Sequence, residues 1–119
     1  MNEKNKPRLS VITVTYNNAT GLEKTIESVG SQTYDAIEFL IIDGGSKDGS
    51  KEIIEKNAAK LHYWISEPDK GIYHAMNKGI RAASGEYCLF LNSGDVFFDQ
   101  DTVENALLNT EDEDIIYGN

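Results

Sequence analysis

The stretch Cys88-Leu89-Phe90-Leu91-Asn92-Ser93-Gly94-Asp95 begins apolar and ends in a small, polar, acidic tip. A carboxylate at Asp95 is a hard oxygen ligand, suited to Mg²⁺ or Mn²⁺. Similar tips close two other apolar runs: Thr15-Tyr16-Asn17 after LSVITVT, and Asp43-Gly44-Gly45 after IEFLII. The loop Glu67-Pro68-Asp69-Lys70-Gly71 follows a fourth. Tyr16 is placed to stack on a nucleobase, or else to pack on the first helix as a strand-end residue. Asp43 could accept a hydrogen bond from a base N–H or a ribose hydroxyl; equally it could bond its own loop, as Asp-Gly does routinely. Asp69 and Lys70 could read a nucleotide as a charged pair, or could be a solvated loop. Gly44, Gly45 and Gly49 could admit a ligand closely or simply supply positive φ.

Other chemistries lack their patterns. The glycine spacing is not G-x-G-x-x-G, and no G-x-x-x-x-G-K-[ST] occurs. Residues Asp43 to Ser50 do not make a calcium loop, because Gly45 and Lys47 stand where oxygen side chains are needed and no Glu holds the twelfth place. No Ser-His-Asp or Cys-His arrangement is visible, and no Cys/His cluster has zinc spacing. His74 reads as a surface or half-buried helix residue, and His62 lies in a strand. The single cysteine, Cys88, cannot form an internal disulfide and reads as an inert core residue.

Charge narrows the partners. Twenty acidic residues against 11 basic give a net charge of −9. No basic stripe exists to neutralise phosphates, which argues against nucleic acid and against an anionic membrane surface. A phosphate-bearing ligand stays open if a metal ion supplies positive charge. Met1 to Arg8 carries no apolar h-region, and no apolar run approaches the roughly 18 residues that span a bilayer. The expected setting is reducing and cytoplasmic.

The elements that must position these tips alternate. With 119 residues and 39% apolar composition, the chain has the size of one domain, with residues 1–8 as a polar lead-in. Leu9 to Thr15 is rich in β-branched residues and reads as a central strand. Thr20 with Glu23 makes a capping box before a helix that places Leu22, Ile26 and Val29 on one face. Ile37 to Ile42 is the second strand; a helix capped at Ser46 or Asp48 runs to about Lys60 and turns Ile53, Ile54 and Ala58 inward. Leu61 to Ser66 is a third strand. The helix Ile72 to Ala83 is expected to bury Tyr73, Met76 and Ile80. The Cys88 strand comes fourth, then a helix capped by Asp101 and Glu104 carrying Val103, Leu107 and Leu108, then a strand from Asp114 to Tyr117. This β-α-β-α-β-α-β-α-β order predicts an α/β fold: a mostly parallel sheet with helices on both faces and right-handed crossovers. Ligands of such sheets bind beyond the carboxyl ends of the strands, where the polar tips lie. The last strand ends beside Gly118-Asn119, from which a longer parent protein is expected.

Each signal is weak singly, but their order is specific. SVITVTYNN, FLIIDGGSKDGS, SEPDKGIYHAMNKGI and GEYCLFLNSGD resemble, in register, the nucleotide-sugar half of family-two inverting glycosyltransferases of GT-A fold. The resemblance covers Leu9 to Asn119 and is strongest to bacterial enzymes that build capsule, exopolysaccharide or lipopolysaccharide O-chains. It implies a donor, most simply a UDP-sugar, and a glycan or lipid-linked acceptor. Thr15, Tyr16 and Asn17 match the first-strand tip, which lies against the base. Asp43 matches the Asp that bonds the uracil or its ribose. Asp69, with Lys70 beside it, matches the loop flanking the nucleotide. Asn92-Ser93-Gly94-Asp95 takes the place of the DXD motif, with Ser93 toward the nucleotide and Asp95 on a divalent cation, Mn²⁺ or Mg²⁺.

Two departures qualify this. The family often has acids where this chain has Asn92 and Gly94, so metal affinity is in question. The family's catalytic base is an Asp or Glu in an acceptor-binding half, and no residue here matches it. These 119 residues are therefore expected to bind a donor without turnover, and to self-associate through apolar surface where that half belongs. Two other readings compete. A non-catalytic binding module of this fold is one. A phosphoacceptor signalling domain is the other, against which stands Tyr16-Asn17-Asn18 where an acidic pair is needed.

Overall fold

Leu9–Thr15, a β-branched run buried along its whole length, forms strand β1 in a computed structural model that describes residues 7–97, 100–103 and 115–117, the last three by backbone alone. Burial on both faces is what a central parallel strand demands. The chain continues through α1 (Ala19–Gly30), β2 (Ile37–Asp43), α2 (Ser50–Lys56), a 3₁₀ turn (Ala58–Lys60), β3 (Tyr63–Ser66), α3 (Ile72–Ala82) and β4 (Tyr87–Phe90) to β5 (Ile115–Tyr117). All pairings are parallel, and the sheet order is β3-β2-β1-β4-β5. The register sets Thr15 beside Asp43, and Asp43 beside Ser66, at one edge.

Side-chain alternation along β1 builds two cores. Leu9 and Val11 pack with Leu22, Ile26 and Val29 of α1 and Ile54 of α2 on one face. Ile12 and Val14 pack with Ala75 of α3, Leu40, Ile42 and Phe90 on the other. Helices thus cover both faces, as the alternation predicted.

Several local expectations shift. Asn18, not Thr20, caps α1: its side chain accepts the Gly21 N–H at 3.2 Å. The second helix begins at Ser50 behind Gly49 (φ 98), because Asp48 ties the Ser50 N–H and hydroxyl just ahead of it. That helix stops at Lys56, and Ala58 is exposed on the 3₁₀ turn. Strand β3 starts at Tyr63, after the turn has used Leu61.

The phase of α3 is the larger correction. Tyr73 is 78% exposed and Ile80 41%, while Ala75 and Gly79 are buried. A Cβ on Gly79 would run into Ile12 Cγ2. The helix lies on the sheet through its smallest residues, and that close approach turns Tyr73 and Ile80 outward, while Met76 packs partly buried against the sheet as expected. Leu107, Leu108 and Asp114 fall outside the described residues, as do Met1 to Lys6 of the lead-in, while Val103 is buried against the α1 face. Among the described residues no helix is long and apolar enough to cross a membrane.

Candidate functional site

From β1 the chain builds outward through β2 to β3, then returns to lay β4 on the other side of β1. The loops after β1 and β4 therefore part company at the carboxyl edge, and such a switch point opens a crevice. A cleft of about 570 Å³ lies there. Its walls come from the end of β1 and the segments after strands β1 to β4: Thr15 and Tyr16, Gly44, Pro68 and Asp69, and Asn92 and Ser93. Ile72 and Ala75 of α3 close one side.

Gly44 brings the base-side residues together. A Cβ there would stand 3.0 Å from Asp69 Oδ2 and 3.3 Å from Tyr16 Cδ1, so both side chains lie over a bare backbone. Asp69 is oriented by the Gly71 N–H, which bonds its Oδ1 at 3.1 Å, and the Lys70 N–H is held by His74 Nδ1 at 2.8 Å. Tyr16 is 62% exposed, yet its backbone is fixed on both sides. The Thr15 carbonyl accepts the Gly44 N–H at 3.0 Å. Asn17, at φ 49, donates its N–H to Ser46 Oγ at 2.7 Å and accepts the Lys47 N–H at 2.8 Å. Within this wall Thr15 Oγ1 is buried with no hydrogen-bond partner among the described residues.

Two of the expected carboxylates are not in the cleft lining. Asp43 is fully buried and accepts the Ser46 N–H at 3.0 Å, the Ser46 hydroxyl, and the Ser66 hydroxyl at 2.7 Å. It ties the tips of β2 and β3 under the Gly44 floor. Asp95 is half-buried, with Oδ2 accepting the Asn92 N–H at 3.2 Å to close the Asn92–Asp95 turn. Of the polar tips expected to meet a ligand, Tyr16 lines the cleft, while Asp43 and Asp95 are outside its lining. Asp43 is held under the loop by Ser46 and Ser66, and Asp95 accepts the Asn92 N–H within its own turn. Of the other expected residues, Thr15, Asp69 and Ser93 line the cleft, and Asn17 and Lys70 do not.

Asn18 was not among the residues expected at the site. It lines the cleft, and its Nδ2 donates to the Ser93 carbonyl and hydroxyl at 3.1 Å each while its Oδ1 caps α1. The legible signal was an Asn three residues before Gly21, the spacing of an N-cap. Asp48 ties the other side. Its Oδ2 accepts the Ala19 N–H at 3.0 Å, and its Oδ1 takes both Ser50 donors. The Ser50 hydroxyl, with the Ala19 and Ser50 N–H groups, holds this carboxyl below the ordinary aspartate range. The first turn of α1 thus yokes the β2 tip to the β4 tip.

No three His, Cys, Asp or Glu side chains converge as a metal cage among the described residues. The β4 tip offers oxygen donors only, from Asn92 and Asp95. That set fits a hard cation drawing its remaining ligands from a diphosphate and water, as Mg²⁺ commonly does.

Residues 10–119 match the profile of glycosyl transferase family 2. A relative described as an uncharacterized glycosyltransferase of Mycobacterium tuberculosis is 44% identical over 102 residues, covering 85% of this chain and 39% of its own. A PGL/p-HBAD biosynthesis glycosyltransferase of Mycobacterium bovis is 32% identical over 118 residues, covering 94% of this chain and 46% of its own. The chain therefore spans less than half the length of these relatives. Among solved structures, a mannosyltransferase of Pyrobaculum calidifontis in complex with GDP-Man and Mn²⁺ superposes with a TM-score of 0.80 at 28% identity, over 86% of this chain and 32% of the other. Staphylococcus aureus TarS in complex with UDP-GlcNAc gives 0.75 at 26%, over 85% and 30%.

Proposed function

The chain belongs to glycosyl transferase family 2, and from that premise we propose that it forms the donor-binding part of an inverting glycosyltransferase that takes its sugar from a UDP-sugar. The observation that carries the reading is the cleft at the β1/β4 switch, where Tyr16 and Asp69 meet over Gly44 and Ser93 lines the same hollow. The base lies on the Tyr16 ring. The Asp69 carboxylate supplies a polar contact at its edge, and Thr15 forms part of the lining beside it. Asn17 and Lys70 act from the margins, Asn17 by holding Tyr16. Asp43 bonds the base or ribose only by exchanging a bond it now receives from Ser46 or Ser66. The diphosphate runs toward Asn92, Ser93 and Asp95, where a divalent cation, when bound, offsets charge on the leaving diphosphate.

Transfer with inversion needs a carboxylate that removes the proton of the acceptor hydroxyl as it attacks the anomeric carbon. We assign that role to none of the 119 residues, which are expected to bind donor without transferring sugar. The acceptor is a glycan or lipid-linked glycan of cell-surface polysaccharide synthesis, handled at the cytoplasmic side of the membrane. A second copy is a further partner, meeting through apolar surface at the carboxyl edge. The presence of a Mn²⁺ complex among the structural neighbours supports the cation.

The test is calorimetric titration of UDP-GlcNAc, GDP-mannose and uridine into the full-length protein, with Mn²⁺ and with chelator. UDP-sugar binding that weakens sharply on chelation, with uridine binding unaffected, supports the reading. Absence of UDP-sugar binding, or affinity unchanged in both Tyr16→Ala and Asp69→Ala, overturns it. Preference for the GDP-sugar corrects the base assignment.

A further inference from the structure

Thr25 lies on α1, is fully buried, and has no place in the cleft lining. Its helix face is otherwise apolar, with Leu22, Ile26 and Val29 in the core. A helical Thr commonly returns its hydroxyl to its own preceding turn. Here the hydroxyl reaches across to the tip after β4. It accepts the Gly94 N–H at 2.9 Å and donates to the Asp95 carbonyl at 2.7 Å, with the Asn92 carbonyl at 3.4 Å as the longer alternative. Gly94 sits at φ 99, a conformation with little intrinsic preference to hold the turn. One buried hydroxyl therefore grips both sides of the peptide that sets where the Asp95 carboxylate stands.

We infer that Thr25 is the positioning residue for the cation site. From inside the core it fixes the backbone of Gly94 and Asp95 so that the single acid of the tip is held ready for the metal–diphosphate. The inference rests on the donor-site reading above. It goes beyond it in placing control of metal affinity in a residue that touches neither metal nor nucleotide. The physical reason is economy of ligands. With one carboxylate in the tip, affinity depends steeply on where that carboxylate is held, and partners that orient ligands are commonly worth 10- to 100-fold in metal affinity.

The experiment is a calorimetric Mn²⁺ titration of full-length protein in the presence of UDP, with UDP binding in chelator measured alongside. Thr25→Val keeps the shape and removes the hydroxyl. It is expected to raise the Mn²⁺ midpoint at least about tenfold, leaving metal-free UDP binding unchanged, and Thr25→Ser is expected to restore the wild-type midpoint. A wild-type midpoint in Thr25→Val overturns the inference. So does equal weakening of metal-free UDP binding, which marks a general loosening, or failure of Thr25→Ser to rescue. Should Thr25→Val not fold, Thr25→Cys, a weak donor and acceptor, takes its place with the same expectation and the same overturning result. If the wild type shows no Mn²⁺-dependent UDP binding, the donor-site reading falls and this inference with it.

Discussion

Tyr16 shows how the site is made at the scale of single residues. An exposed ring is useful to a ligand only if it does not have to be ordered on binding, and here the backbone on both sides of it is hydrogen-bonded. Stacking of a base on an aromatic ring is worth about 1–3 kcal/mol. Tyr16→Ala is therefore expected to weaken UDP binding by about tenfold, with Tyr16→Phe close to wild type, as read by calorimetry. Loss in Tyr16→Phe equal to that in Tyr16→Ala would shift the role from the ring to its hydroxyl. Asp43 illustrates the opposite case. Its residue type suggested ligand contact, but it is fully buried and accepts bonds from Ser46 of its own turn and from Ser66 at the β3 tip.

At the scale of elements, the end of the sheet remote from the cleft is held by one acid. Glu38, at the start of β2, accepts the Ser10 hydroxyl of β1 at 2.7 Å, the Ser84 N–H at 2.8 Å and the Ser84 hydroxyl. Ser10 in turn accepts the Gly85 N–H at 2.9 Å. The network clips the α3–β4 turn to β1 and β2, and so helps set the height at which α3 lies on the sheet. Burial raises the Glu38 pKa, but the bonds from Ser84 and Ser10, with Arg8 nearby, outweigh it and hold the carboxyl below its ordinary range. A depressed folded-state pKa stabilises the fold fully above the unfolded value of about 4.3, and that contribution is lost as pH falls through the folded value. Glu38→Gln is expected to cost about 1–2 kcal/mol near neutral pH and to flatten the acid limb of stability. Urea unfolding at stepped pH measures both, and an unchanged acid limb would refute the assignment.

At the scale of the whole molecule, charge and exposed surface decide the partners. A net charge of −9 opposes a diphosphate, so binding needs local positive charge that the chain itself supplies sparingly. That is the molecular reason for assigning a cation to the Asn92–Asp95 tip. Ile72, Tyr73 and Val96 remain more than half exposed, following the β3 and β4 ends of the sheet. Apolar side chains gathered at one edge favour association. Light scattering of the 119-residue chain is expected to show mass rising with concentration, and a clean monomer at high concentration would count against it.

The amino-acid sequence by itself determined the alternation of strands and helices, the parallel sheet, the polar tips at one edge and the family. These follow from local composition: β-branched runs, apolar spacing and turn residues each act within a few positions. Tertiary structure alone decided the rest. The face of α3 was chosen by the contact of Gly79 with Ile12, across more than 60 residues of sequence. The start of α1 was set by Asn18 while it also bonded Ser93. The withdrawal of Asp43 from the cleft was completed by Ser66, 23 residues further along the chain. Thr25 looked like one more helix residue until the fold brought Gly94 to its hydroxyl. Partners of this kind are chosen by proximity in space, which residue type and spacing along the chain do not encode.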